Sequence, residues 1–210
     1  MNKSQVRHLD LLDWKTEKVR DVENWAKHPK PYLVYPEKGL HTSAEKHLFY
    51  LIGKHMGKGN YANLGTWGGA SAACLAYGIK EAGQGGTIYA VDVFSINKVK
   101  IMPTRIPEHF KKLGLSDHVD LKICKGFTAE WAVKLKDVKF KFILVDADHS
   151  YESCREDYDL WSPLLEVGGE IAFHDCEYEE VDRVLKESLV EPEWKFIRQI
   201  WKLKLYRKMK

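Results

Sequence analysis

Short apolar runs alternate with stretches of helical periodicity over most of the chain. The runs fall at residues 61–64, 87–91, 119–123, 140–145 and 170–173. Helical patterns lie between them at 70–82, 104–113, 128–135 and 151–165. Strands that are apolar throughout are covered on both faces, and their alternation with helices marks βαβ units around a mostly parallel sheet.

The two ends depart from this rhythm. Residues 4–27 carry Leu11, Trp14, Val22 and Trp25 at helical spacing, interrupted at Lys18, and His28-Pro29-Lys30-Pro31 ends that helix. Trp14, Trp25, Tyr32 and Tyr35 are read as packing residues. A second helix starts at Thr42, with Glu45 three residues on in the capping-box pattern, and runs through Leu48, Ile52 and His55. At the far end a helix over 177–189 precedes two runs, 194–201 and 203–209. The second alternates apolar and basic positions like a strand with one solvated face. With no helix between them, the two runs read as an antiparallel hairpin closing one edge of the sheet. Lys202, Lys204, Arg207, Lys208 and Lys210 then discourage edge-to-edge pairing and need no nucleic acid to explain them. The expectation is one α/β domain: a helical lead over 1–57, then a doubly wound, mostly parallel seven-stranded sheet over 58–210.

Composition narrows the class. The 210 residues are 44% hydrophobic and 30% charged, with a formal charge of +3, which suits an ordinary globular protein. That charge is too small to call for nucleic acid or an anionic membrane. No stretch approaches the roughly 18 apolar residues of a membrane span, and the polar start MNKSQVRHLD lacks a signal-peptide core. Cys74, Cys124, Cys154 and Cys176 form no CxxC pair, so packed, reduced thiols and a cytoplasmic location are expected.

The first turn after the first strand restricts the ligand. Asn63-Leu64-Gly65-Thr66-Trp67-Gly68-Gly69-Ala70-Ser71 runs straight into a helix. A dinucleotide turn needs a second glycine two places after the first, where the pyrophosphate comes close to the backbone, and here that place holds Trp67. No Lys-Ser/Thr pair follows the glycines, so a Walker-type phosphate loop is excluded. Asp92, at the tip of the second strand, is placed to accept from a ribose diol. A ribose without a pyrophosphate suits S-adenosylmethionine better than NAD or ATP.

Two further strand tips carry chemistry. Val145 is followed by Asp146-Ala147-Asp148-His149-Ser150, and Phe173 by His174-Asp175. Neighbouring strands are about 4.8 Å apart, so these tips can converge on one small ion. Asp146, His174 and Asp175 are the expected metal ligands. His149 is the expected base, since an imidazole titrates near neutral pH. Asp148 could equally cap the following helix. Residues 94–107, with Phe94, Met102, Pro103 and Pro107, form a connection longer than usual and are expected to act as a lid.

Together these residues resemble the class I S-adenosylmethionine-dependent methyltransferases, most closely the small family of cephamycin-type and macrolide-sugar O-methyltransferases. The resemblance spans about 43–189 and is carried by Val145 to Glu152, Asp157, Trp161, Pro163-Leu164-Leu165, Gly168-Gly169 and Ile171 to Asp175. It implies a Rossmann-like fold and O-methylation of a small-molecule hydroxyl; metal-independent N- or C-methylation and a non-catalytic nucleotide-binding module are the alternatives. The implied cofactor set is Asn63, Gly65, Thr66, Trp67, Gly68 and Ser71 for the methionine part and Asp92 with Val93 for the ribose. Gly126 and Phe127 would lie beside the adenine, with Asp146 and Asp148 close by. A divalent metal such as magnesium, manganese or another first-row ion is a candidate second cofactor, and a homo-oligomer a candidate assembly. Asn63 stands where many relatives have a carboxylate. His174 stands where metal-dependent relatives have an acid, which favours manganese, iron, nickel or zinc over magnesium.

Overall fold

A computed structural model describes residues 41–96, 99–100 and 103–210. The first expected helix, its aromatics and Met102 lie outside the described residues. The first described helix, α1 (Ser43–His55), opens with the expected capping box: Glu45 N donates to Thr42 Oγ1 at 3.3 Å, and Thr42 N donates back to Glu45 Oε2 at 2.7 Å. The core follows as β1 (Asn60–Leu64), α2 (Ala70–Ala82) and β2 (Gly86–Asp92), then a two-stranded ribbon of β3 (Ser95–Ile96) and β4 (Val99–Lys100). Next come α3 (Arg105–Lys112), β5 (Val119–Lys125), α4 (Thr128–Lys134), β6 (Phe140–Val145) and α5 (Tyr151–Trp161). The chain finishes with β7 (Leu165–Phe173), α6 (Glu179–Ser188), β8 (Trp194–Ile200) and β9 (Leu203–Lys208).

The main sheet has seven strands in the order β5-β2-β1-β6-β7-β9-β8. The first five are parallel, while β9 runs antiparallel to β7 and β8 antiparallel to β9, forming the expected hairpin edge. Alternation on β6 shows why both faces are buried. Phe142 and Leu144 join the core under α1, α2 and α3, while Ile143 and Val145 join the core under α4, α5 and α6.

The winding reverses between β1 and β6, and a crevice opens at the carboxyl ends of strands at such a switch point. Backbone bonds carry the ladder past the strand ends there: Asp146 N donates to Leu64 O and His174 N to Val145 O, each at 3.0 Å. The residues that follow β6 and β7 are therefore fixed by main chain. Gly65 makes this closeness possible, since a Cβ on it would meet Asp146 O at 1.9 Å.

The expected lid segment is narrowed: Phe94 is 3% exposed and packs in the core. The stretch after Asp92 folds back as the β3–β4 ribbon, and Pro107 lies within α3.

Candidate active site

The tips of β1, β2 and β5 form one half of the crevice. Asn63 faces α2 from between Ala62 and Leu64, and its Nδ2 donates to Ser71 Oγ at 2.7 Å. Its Oδ1 is buried without a hydrogen-bond partner, as is Thr66 Oγ1 in the following turn. Buried polar atoms of this kind are costly unless a ligand meets them. Trp67 holds a left-handed backbone with φ 47° and stays 41% exposed. Its N–H donates to Asp92 Oδ2 at 2.8 Å, while Phe94 N–H donates to Asp92 Oδ1 at 2.6 Å. Asp92 thus fastens the β1 turn to the tip of β2 and keeps one lone pair on each oxygen. Val93 follows it, half-buried. Gly126 N donates to Asp92 O at 3.0 Å, which brings the turn after β5 alongside, and Phe127 is 68% exposed there. Gly68 and Gly69 lead into α2, with Gly69 as its left-handed N-cap.

The other half carries the titratable cluster. His174 Nδ1 lies 3.2 Å from Asp146 Oδ1 and 3.3 Å from Asp175 Oδ2, so the three expected metal ligands do converge. His149 Nε2 lies 3.0 Å from Asp175 Oδ2. Asp175 reaches this position on a left-handed backbone with φ 50°, a conformation that Asp tolerates better than most residues. Its Oδ1 lies 3.5 Å from Lys202 Nζ, which also pairs with Glu177. Asp148 stands apart, exposed, with Oδ1 accepting from Ser150 N at 2.8 Å ahead of α5. That turn role draws its carboxyl below the usual range through the hydrogen bonds from Ser150.

Two members of the cluster were not expected as site residues. His41, just before the α1 cap, has Nε2 3.2 Å from Asp146 Oδ2, and its ring lies 4.5 Å from that of His174. Glu45 is 1% exposed and places Oε1 3.4 Å from His174 Nε2. His174 is therefore ringed by three carboxylates. Burial alone would lower its pKa, but Asp146 and Glu45, with Asp175 beyond them, push it up to about 10. Burial opposes the charge on Asp146 and Glu45 too, yet His174 with His41 at Asp146, and His174 with the Thr42 hydrogen bonds at Glu45, outweigh it and hold both below the usual carboxylate range.

A divalent ion fits this donor set. His41 Nε2 and both ring nitrogens of His174 are buried with no hydrogen-bond partner, and ligating groups of His and Asp lie within 4.8 Å of one another. A proton on His174 balances the carboxylates, and an ion at Nδ1 would take its place.

This sheet order, with its antiparallel closing hairpin and crevice, defines the class I S-adenosylmethionine-dependent methyltransferase fold. A family model described as a methyltransferase domain matches residues 62–176, and the chain belongs to that family. Solved structures agree in fold. A Klebsiella pneumoniae protein described as an O-methyltransferase superposes with a TM-score of 0.67 at 13% identity, over 92% of this chain and 97% of its own. The O-methyltransferase from Bacillus cereus in complex with SAH gives 0.63 at 17% identity, over 95% and 94%. CalS11, a TDP-rhamnose 3'-O-methyltransferase, gives 0.56 at 13%, over 93% and 94%. Among the described residues no helix is long and apolar enough to cross a membrane.

Proposed function

We propose that the protein transfers the sulfonium methyl of S-adenosylmethionine to a hydroxyl oxygen of a small molecule in the cytoplasm. The observation that carries this reading is the pairing of His149 with Asp175 at 3.0 Å, beside Asp146 and His174 at the switch point of the sheet. The small-molecule acceptor is supported by the kinship in fold with O-methyltransferases, one of which acts on a nucleotide sugar.

Asn63, Thr66 and Ser71 would meet the methionine end of the donor, and the remaining lone pairs of Asp92 would accept from the ribose. The turns at Gly65, Trp67, Gly68, Val93, Gly126 and Phe127 would line the rest. Asp175 faces His149 Nε2 and favours the tautomer with the proton there, leaving Nδ1 to take the acceptor's proton. As the O–H bond gives its proton to His149, an oxygen lone pair forms the new C–O bond. The C–S bond breaks, its electron pair returns to sulfur, and S-adenosylhomocysteine leaves as a neutral thioether. Holding donor and acceptor in line supplies much of the rate. Asp146 and His174, with Asp175 in reach, are the residues that would hold a divalent ion, whose chemistry is to lower the pKa of a hydroxyl beside it.

The test is calorimetric titration of S-adenosylmethionine, followed by turnover with a panel of hydroxylated acceptors and mass detection of the methylated product. Donor binding with O-methyl product supports the reading. Absence of donor binding, or methyl found only on nitrogen or carbon, overturns it.

A further inference from the structure

The titratable cluster divides into two groups that share Asp146, namely His41–Asp146–His174 and Asp146–His149–Asp175. We infer that the first group is the ion-holding set, with Glu45 orienting His174 from behind, and that Asp175 serves His149 rather than the ion. This refines the metal-assisted part of the proposed function and rests on it.

Asp146 presents one oxygen to each imidazole, Oδ2 to His41 Nε2 and Oδ1 to His174 Nδ1, both at 3.2 Å. Two ligands each about 2.1 Å from one ion and at right angles to each other lie about 3 Å apart, so these separations need little adjustment. Both imidazoles are enclosed, with side chains 8% and 2% exposed, whereas His149 is 38% exposed. The nitrogens aimed at Asp146 are among the buried atoms without a hydrogen-bond partner. A ligating histidine usually gives its other N–H to a carboxylate, which fixes the ring and the tautomer. Glu45 Oε1, 3.4 Å from His174 Nε2, is the carboxylate placed to take that role, and its Oε2 is tied down by Thr42.

Asp175 is differently engaged. Besides its contact with His174 Nδ1 at 3.3 Å, it faces His149 at 3.0 Å and the Lys202 ammonium at 3.5 Å. A carboxylate shared with an ammonium is a poorer donor to a cation than one flanked by two imidazoles. Two nitrogens and one carboxylate suit zinc, cobalt, nickel or iron(II), whereas magnesium takes oxygen ligands.

The experiment uses the full-length, chelator-treated protein without acceptor, titrated calorimetrically with Co(II), Zn(II) and Mg(II), with the visible spectrum recorded for Co(II). One Co(II) per chain is expected, bound on the order of 100-fold more tightly than Mg(II). His41→Ala should weaken Co(II) binding about 10- to 100-fold and change the spectrum, and Glu45→Gln, which keeps the capping box, should weaken it about 10-fold. Asp175→Asn should hold Co(II) within about threefold of the parent. Thermal melts establish that each variant is folded, and Glu45→Gln carries the test if His41→Ala is not. Equal affinity for Mg(II) and Co(II), or binding lost in Asp175→Asn and kept in His41→Ala and Glu45→Gln, overturns the inference. Failure to bind any ion overturns it too. S-adenosylmethionine titrated into the same stripped protein reports on the methyltransferase separately.

Discussion

Gly53 of α1 and Gly78 of α2 each lie against the other helix's backbone. A Cβ on Gly53 would meet Leu75 O at 2.1 Å, and one on Gly78 would meet Tyr50 O at 2.0 Å. The obstacles are main-chain atoms, so no rotamer change relieves them. This pair sets how closely α1 approaches α2, and α1 carries Glu45, with His41 just before it. The prediction is that Gly78→Ala destabilises the fold by about 1–3 kcal/mol, the usual range for overpacking. For a chain of this size that lowers the melting temperature by roughly 2–12 °C. A thermal melt unchanged within a degree would show that the helices part without cost.

The sheet was legible because its central strands are largely apolar, β5 and β9 alternate apolar and polar positions, and its helices end in clear signals. The expected span of α2 is met residue for residue, since Gly69 and Gly83 take left-handed backbones at its two ends. The join between α5 and β7 was less legible. The helical pattern runs through residue 165, whereas α5 stops at Trp161 and Ser162–Leu164 forms a 3-10 turn containing Pro163. β7 then begins at Leu165, which pairs with Phe140, although Gly168 and Gly169 gave that stretch no strand signal.

In the cluster, Asp146, His149, His174 and Asp175 were visible because polar residues at the ends of apolar strands stand out. His41 and Glu45 were not, because α1 reaches these tips only through tertiary packing. Glu45 also had a sufficient local explanation in the capping box, which engages its Oε2 and leaves Oε1 for His174.

Asp92 gives a prediction with two separate readouts. Its oxygens accept from the N–H groups of Trp67 and Phe94, and it is 6% exposed. Asp92→Ala leaves those two donors without their acceptor and should cost about 1–3 kcal/mol of stability. Asp92→Asn keeps one acceptor oxygen and should spare more of the fold. If its lone pairs meet the ribose, that variant still loses S-adenosylmethionine affinity by about 10- to 100-fold, the worth of a hydrogen bond to a charged group. Calorimetry on the folded Asn variant is decisive, because unchanged affinity would limit Asp92 to fastening the turn.

His149 is half-exposed and pairs with Asp175 in the titratable half of the crevice, so its removal should act on chemistry more than on the donor. His149→Ala is expected to lower kcat by about 10²- to 10⁴-fold, the usual contribution of a positioned base. S-adenosylmethionine binding should stay within about twofold of the parent, as for an interaction made only in the transition state. Steady-state kinetics beside a donor titration separates the two, and a loss confined to donor binding would remove His149 from the proton's path.

Asp157 sets the stability profile from the opposite face of the sheet. It is 2% exposed on α5, and burial pushes its carboxyl up to about 7, although a hydrogen bond from Thr128 partly opposes the rise. An aspartate in the unfolded chain titrates near 3.9, so the native state holds this proton over a range in which the unfolded state has released it. The unfolded state then binds fewer protons, and the slope of stability against pH is negative between roughly 4 and 7. The contribution is favourable at the acid end of that window and is lost as pH rises through the native pKa, after which it levels off. A rise of about three units corresponds to at most about 4 kcal/mol. Asp157→Asn keeps the shape and the acceptor for Thr128 but removes the titration. It should therefore melt higher than the parent at pH 8, where the parent carries a buried charge, and draw nearly level with it only near pH 4. Melting curves for both proteins from pH 4 to pH 8 check the sign, and a stability difference between them that stays constant from pH 5 to pH 8 would mean that Asp157 is ionised in the native state throughout.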